Sequence, residues 1–204
     1  MPTSQPGFLE NLDTLSPYLT DEQIEFLRPH QSQQGWGLRS EWLTKHLAMN
    51  AAQQGAIIHT KTRITSITME GERYIVEVQG GGPSPRSTLT FDHIIDASTY
   101  VPGAPGNLKH QMEGASNLVV PEFGAPTAWF GGTALTTDCQ NIPNDVWNFE
   151  RAEGLSEVWF EGEPTWTPKH GWIEQVNSNL PTDQKNRTID GQFTEGVRTA
   201  KVFE

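Results

Sequence analysis

The sequence has little of what marks several large functional classes. Its single cysteine, Cys139, excludes a disulfide within the chain, and no group of Cys and His residues has the spacing of a structural zinc site. No apolar run approaches the roughly 18–20 residues that span a bilayer. Fourteen Lys and Arg residues against 25 Asp and Glu residues give a net charge of -11, which argues against nucleic-acid binding. We therefore expect a cytoplasmic protein with no membrane span and no nucleic-acid partner.

Several catalytic motifs are also missing. The sequence has no G-x-S-x-G turn, so a hydrolase triad is not indicated. His59, His93, His110 and His170 are scattered, and none has ligand spacing with another or with Cys139, so we expect no metal site. The chain also lacks G-x-G-x-x-G, the loop that holds a dinucleotide pyrophosphate at a helix N-terminus.

The length of 204 residues suits one compact unit. Composition and pattern divide it into a polar lead-in over 1–35, an α/β region over 36–106 and a β-rich substrate or cap region over 107–184. Residues 185–204 have a helical pattern and could return to the α/β region. Five of the seven Trp residues follow residue 125, so the β-rich region is also rich in aromatic side chains.

Residues 36–106 carry the clearest pattern. Apolar spacing predicts a helix over 41–54, with Ser40 as its N-cap and Gly55 at its end. Because a helix followed by a β-branched run is typical of the second half of a βαβ unit, we predict an α/β fold with a parallel-sheet fragment and a β-meander. The strands are predicted over 56–60, 63–69, 74–78, 87–91 and 92–97.

One ordered set of residues in this region matches a known family. Arg39 opens the helix, Gly55-Ala56 precedes a strand, Thr62–Ile67 fits Thr-x-Val-x-x-Ile, and Asp92–Ala97 fits a later strand that ends near Ala-Thr-Gly. The set resembles FAD-dependent oxidoreductases of the two-dinucleotide-fold group, which includes glutathione-reductase-like, geranylgeranyl-reductase-like and lycopene-cyclase-like flavoproteins. The resemblance implies a partial Rossmann-like FAD domain.

The resemblance also implies roles for matching residues. Arg39 would lie near the ribityl-pyrophosphate stretch of FAD, the backbone of Ile64 would face the adenine, and Ala97 and Ser98 would approach the flavin. Asp190 resembles the late acidic residue of the family, which bonds the ribityl or phosphate region. Two departures stand out: the phosphate loop is absent, and Ala97-Ser98-Thr99 replaces Ala-Thr-Gly. Either a partner chain supplies the phosphate loop, or the fold has been kept and FAD lost.

Four further residues are candidates for chemistry or substrate binding. Asp96 lies within an apolar strand, where an unpaired carboxylate is costly. Tyr100 follows that strand, at the carboxyl end where α/β sheets bind ligands. Both are candidate catalytic residues. Trp129 and Trp159 belong to an aromatic group that could cover core or form a wall for a flat apolar ligand or a sugar ring.

Three functional hypotheses follow. The first is a flavoprotein-like oxidoreductase fragment or subunit that acts on a small or apolar molecule, with a partner chain supplying the phosphate loop. The second is a flavin-free accessory or binding subunit with the same fold. The third is a cofactor-independent isomerase or cyclase that uses Asp96 or Tyr100 in a flavoprotein-derived cleft.

Overall fold

The computed structural model describes residues 5–80, 86–98, 108 and 112–204. Its helices and strands mix along the chain, which confirms the α/β class. In chain order they are β1 (Phe8–Leu9), α1 (Asp21–Phe26), β2 (His30–Gln31), β3 (Trp36–Gly37), α2 (Ser40–Gln53), β4 (Thr62–Glu70), β5 (Arg73–Gly80), β6 (Arg86–Phe91), β7 (Pro126–Leu135), β8 (Trp147–Arg151), β9 (Leu155–Glu161), β10 (Glu174–Pro181), α3 (Gln184–Arg187) and α4 (Ile189–Ala200). Among the described residues, no helix has the length and apolar character to cross a membrane.

The strands form three sheets, with orders β1-β3-β2, β4-β5-β6 and β10-β7-β9-β8. Every pair of neighbouring strands in these sheets is antiparallel. The predicted parallel-sheet fragment is therefore not found in the described part of the chain. Among the described residues, parallel pairing is found at one isolated bridge, between Ile95 and Val119.

The predicted strand over 56–60 is also wrong, because this segment is an exposed loop. Its β-branched residues have strand propensity, but that propensity takes effect only when neighbouring strands offer pairing and burial. The prediction for 92–97 was partly wrong for the same reason, since only Ile95 makes a strand pair there. The β-meander, in contrast, is confirmed as β4-β5-β6, and Gly71 at φ 63° supplies the tight turn between β4 and β5.

Helix α2 matches its predicted span to within one residue at each end, but its cap differs. Ser40 is the first helical residue, while Arg39 occupies the N-cap position without a side-chain capping bond. The Ser40 hydroxyl instead donates to the carbonyl of Gln5 at 2.9 Å. Leu43 is buried in a cluster that joins α2 to the N-terminal segment and α4. Gly55, at φ 98°, follows the helix as predicted.

The sheet β10-β7-β9-β8 explains why aromatic residues accumulate late in the chain, because both its faces are covered by them. On one face Phe8 packs with Trp129, Phe149 and Trp159. Phe130, Phe160, Trp166 and Trp172 pack on the opposite face. Two adjacent glycines of β7 make room for a ring on each side: a Cβ at Gly131 would lie 2.5 Å from Trp159, and one at Gly132 would lie 2.3 Å from Trp172.

The C-terminal helix α4 packs onto the N-terminal segment. Thr188 caps it by accepting from the N–H of Gly191 at 3.2 Å. Ile189 and Phe193 of α4 belong to the same apolar cluster as Leu43 of α2. The predicted domain boundaries, including the return of residues 185–204 to the α/β region, remain predictions.

Candidate functional site

A narrow polar cleft lies between the start of α2 and the four-stranded sheet. Nine of its lining residues carry polar side-chain atoms: Gln5, Ser40, Glu41, Thr133, Arg151, Glu157, Trp159, Glu174 and Gln175. Its volume is about 20 Å³, which is room for one water molecule. Side chains of the polar cleft bond one another across structural elements, and the cleft is too small for a flat organic ligand.

Glu157 is the centre of the polar cleft. Its Oε1 accepts from Nη1 of Arg151 at 2.9 Å, and its Oε2 accepts from the N–H of Gly7 and from Nε1 of Trp159, each at 3.1 Å. Both charged residues are only 5% exposed. Burial raises the pKa of Glu157, while the charge of Arg151 and these hydrogen bonds oppose the rise. Through its bond from the N–H of Gly7, Glu157 holds the N-terminal segment against the four-stranded sheet.

Arg39 projects from the start of α2 to the edge of the polar cleft. Its Nε donates to Oε1 of Glu41, and its Nη2 lies 3.9 Å from Oε1 of Glu174. Its guanidinium also lies over the ring of Trp42, at 4.6 Å from the centroid. A cation at a helix N-terminus suits a phosphate, but here two carboxylates already balance much of its charge.

The two predicted substrate residues lie on the same face of the sheet and are both covered. Trp159 is paired with Gly131 across β7 and β9, two positions along β7 from Trp129. Their exposed fractions are 3% and 6%. The guanidinium of Arg187 lies 4.4 Å from the ring centroid of Trp129. Contact between either ring and a substrate therefore stays a prediction.

A larger, apolar cavity opens on the other side of α2, and we call it the helix cavity. Its volume is about 720 Å³, within the range of about 300–1,000 Å³ that small-molecule sites occupy. Gln5 and Ser40 line both the helix cavity and the polar cleft, so the two are neighbours. The apolar side chains that line it are Tyr18, Leu43, Leu47, Ile189, Phe193 and Val197, with Pro6 and Ala200.

Asp96 and its neighbours lie apart from both cavities. Asp96 is 2% exposed, and its Oδ1 accepts from the N–H and the hydroxyl of Ser98 at 3.0 and 2.6 Å. Its Oδ2 has no hydrogen-bond partner within the described part of the chain. Ala97 is exposed. Tyr100 falls outside the described residues, and a catalytic role for either Asp96 or Tyr100 stays a prediction.

The other residues with implied cofactor roles, Ile64 and Asp190, make contacts within the fold. Ile64 is in β4, opposite Val78 of β5, and lines neither the polar cleft nor the helix cavity. Asp190 accepts from the N–H groups of Glu10 and Asn11 at 2.6 and 3.2 Å and from the hydroxyl of Thr14 at 2.7 Å. These bonds give Asp190 a structural task, tying the first turn of α4 to the N-terminal segment.

The charged residues of the polar cleft were not predicted from the sequence. Of the cleft and its edge, it singled out Arg39 and Trp159 but not Arg151, Glu157 or Glu174. One signal was available: in β9, Glu157 and Trp159 are two positions apart and so share the inward face of the strand. A carboxylate on the same face as a buried Trp implies a buried partner.

The fold of the chain matches solved structures. An aromatic hydroxylase from angucycline biosynthesis, CabE, matches 89% of this chain with a TM-score of 0.50 and 14% identity, over 45% of its own length. AlpK matches 97% of the chain with a TM-score of 0.54 and 12% identity, over 53% of its length. A flavoprotein/dehydrogenase from Cytophaga hutchinsonii matches 97% with a TM-score of 0.50 and 13% identity, over 67% of its length.

Because these identities are low, the likeness establishes a shared fold and nothing beyond it. The chain spans about half the length of the solved structures of CabE and BexE, at 45% and 49%. No family model and no curated protein matches the sequence. The chain thus shares its fold with a solved flavoprotein/dehydrogenase, and the specific group named by the sequence resemblance is not supported.

Proposed function

We propose that the chain is the substrate-binding half of a flavin-dependent oxidoreductase that acts on an apolar small molecule. The observation that carries this proposal is the helix cavity, which adjoins the Arg39 end of α2 in a fold shared with a flavoprotein/dehydrogenase. Leu43 and Leu47 of α2 line this cavity, while Arg39 and Ser40 at its start border the polar cleft. One helix therefore connects an apolar cavity with a polar cleft whose lining includes charged side chains.

The described residues do not by themselves fit FAD. A dinucleotide pyrophosphate needs backbone N–H donors and a close approach of glycine backbone at a helix N-terminus. The chain has no G-x-G-x-x-G, Arg39 is balanced by Glu41 and Glu174, and the polar cleft holds about 20 Å³. In this proposal the chain contributes the substrate cavity and one wall, and a second unit contributes the phosphate loop.

The helix cavity is suited to an apolar rather than a polar substrate. Polar side chains of its lining are engaged within the protein: Nε2 of Gln192 donates to Oε1 of Gln5 at 3.1 Å, and the Thr44 hydroxyl donates to the backbone carbonyl of Ser40 at 2.9 Å. The remaining lining is mostly aliphatic or aromatic. Burial of apolar ligand surface therefore provides the main driving force for binding.

Replacing Gly196 with Trp should close the helix cavity without disturbing the fold. Gly196 lines the cavity, and a Cβ built there meets no atom within 4 Å. We expect the variant to bind the neutral fluorescent probe Nile red at least about tenfold more weakly than the wild type, a loss of ~1.4 kcal/mol. Gly196→Ala, which leaves the cavity largely open, is the matched control and should bind the probe as the wild type does. Equal Nile red affinity in Gly196→Trp and wild type would remove the assignment of this cavity.

A flavin-free accessory subunit remains a second candidate. The pairing of Arg39 with two carboxylates and the water-sized polar cleft favour it, since neither leaves room for a phosphate. The two candidates differ in whether the natural assembly contains flavin. The third hypothesis, an isomerase or cyclase, gains no support from the described residues, because Asp96 lines neither the polar cleft nor the helix cavity.

A further inference from the structure

A further cavity lies at the edge of the four-stranded sheet where β7 and β8 begin and β9 ends, and we call it the tryptophan groove. Its volume is about 820 Å³, within the range of about 300–1,000 Å³ that small-molecule sites occupy. Among the described residues, it shares no lining residue with the polar cleft or the helix cavity. The tryptophan groove is therefore a separate candidate site that the proposed function does not use.

Three aromatic rings line the tryptophan groove. Trp129 of β7 and Trp147 of β8 lie on the same face of the sheet, and Phe8 packs on that face. The rings of Phe8 and Trp147 meet edge to face, with their centroids 6.0 Å apart. Phe8 and Trp129 are each only 6% exposed, whereas Trp147 is partly buried. Of the three rings, Trp147 is therefore the one that a ligand in the groove can reach most easily.

Arg187 is held in a fixed position at one side of the tryptophan groove. Its Nε donates to the carbonyl of Pro181 and its Nη2 to the carbonyl of Thr182, each at 2.6 Å. Its guanidinium also lies over the ring of Trp129. Within the described part of the chain, Nη1 of Arg187 donates no hydrogen bond and the guanidinium forms no ion pair. A ligand that accepts from Nη1 would therefore immobilise little further side-chain freedom.

The rest of the polar lining mixes hydrogen-bond donors with acceptors. Four exposed amide side chains line the groove: Gln34, Asn144, Asn148 and Gln184. Each amide carries two N–H donors and one carbonyl acceptor. Three carboxylates, those of Glu10, Asp145 and Glu161, add acceptors. Because these carboxylates outnumber the one guanidinium, the groove disfavours an anionic ligand.

We propose that the tryptophan groove binds a neutral sugar ring, which stacks on Trp147 and whose hydroxyl groups bond to Arg187 and the amides. The face of an aromatic ring is electronegative and attracts the polarised C–H groups on the apolar side of a pyranose. Hydroxyl groups donate and accept, so they match a lining that does both. An apolar ligand would bury these polar side chains without partners. An organic cation would meet a guanidinium that already lies over Trp129.

Binding of the methyl glycosides of glucose, galactose, mannose and N-acetylglucosamine to the full chain tests the proposal. Saturation-transfer difference NMR detects the binding and tryptophan fluorescence measures the affinity. We expect at least one glycoside to bind with a Kd of about 1 mM or below, and Trp147→Ala to weaken its binding at least about tenfold. Trp166→Ala is the matched control, because Trp166 is also partly buried but packs on the opposite face of the sheet. It should leave the affinity unchanged.

A second variant keeps the test decisive if Trp147→Ala fails to fold, since Trp147 also packs on Phe8 and Phe149. Gln34→Ala/Asn144→Ala removes two exposed amides of the groove. It should weaken glycoside binding at least about threefold, the size of one lost hydrogen bond, at an unchanged melting temperature. Gln33→Ala/Asn141→Ala replaces two exposed amides that do not line the groove, and should bind as the wild type does.

Three results would overturn the proposal. The first is that none of the four glycosides binds at about 10 mM. The second is equal glycoside affinity in the wild type and in either groove variant that folds. The third is binding of tetramethylammonium in place of the glycosides, which would identify a cation site. Nile red affinity, which reports on the helix cavity, should be the same in Gln34→Ala/Asn144→Ala and the wild type, so each site is tested independently of the other.

Discussion

Glu157→Ala is expected to lower the free energy of unfolding by about 3–5 kcal/mol, because it leaves the charge of Arg151 buried without its partner. Arg151 and Glu157 are each 5% exposed, so water cannot replace the lost carboxylate at little cost. The substitution also removes the acceptor of the Gly7 N–H and of Nε1 of Trp159. Urea unfolding followed by tryptophan fluorescence measures the loss.

Two comparisons make this test specific to the buried pair. The double variant Glu157→Leu/Arg151→Met removes both charges and should recover a large part of the stability, since apolar replacements of buried pairs are often well tolerated. Asp92→Ala breaks an ion pair with Arg73 whose side chains are 70% and 58% exposed, and should cost less than about 1 kcal/mol. A loss of under about 1 kcal/mol in Glu157→Ala would show that the pair is not buried as described.

Gly37→Ala is expected to destabilise the protein by about 2–3 kcal/mol through overpacking. A Cβ at Gly37 would lie 2.0 Å from the carbonyl oxygen of Glu150 and 3.1 Å from the ring of Phe149. The obstacle is backbone, so β3 must move away from β8 to admit the methyl group. Because β3 also holds β1, the change should loosen the N-terminal segment as a whole. Equilibrium urea unfolding measures the loss of stability. Hydrogen exchange at the backbone amides of residues 8 and 9 shows whether the N-terminal segment is loosened.

Gly196→Ala serves as the opposite case in the same chain. Gly196 is helical, and its Cβ would meet open space, so we expect alanine to stabilise the protein by about 0.5–1 kcal/mol through helix propensity. If Gly37→Ala proved as harmless as Gly196→Ala, the close packing of β3 on β8 would be disproved.

Local patterns allowed the meander and α2 to be predicted from the sequence. The meander follows from alternation and from a turn at Gly71, and α2 from apolar spacing that ends at Gly55; neither depends on distant residues. The parallel sheet failed because Ile57 and Ile58 form a strand only beside other strands, which the described part of the chain does not provide. The sequence alone could not show that, among the described residues, no strand lies beside Ile57 and Ile58.

The candidate site was harder to predict because its residues are brought together from distant parts of the chain. Glu157 meets the N–H of Gly7, which is 150 positions away, and no local pattern encodes that contact. Asp190 was assigned to a cofactor on resemblance, yet its carboxylate accepts bonds from residues 10, 11 and 14. The aromatic group was correctly located after residue 125, but whether its rings face a ligand or the core depends on what covers each sheet face.

The flavin content of the natural assembly is the most direct measurement of the central claim, that this chain is the substrate-binding half of a flavin-dependent enzyme. The assembly retained by the tagged wild-type chain would be isolated without denaturation, and its FAD quantified by visible absorbance against the free chain. We expect about one FAD per chain in the assembly, while the free chain, which lacks a phosphate loop, should bind added FAD no more tightly than about 0.1 mM, near -5.5 kcal/mol. A colourless assembly that takes up no added FAD would contradict the claim.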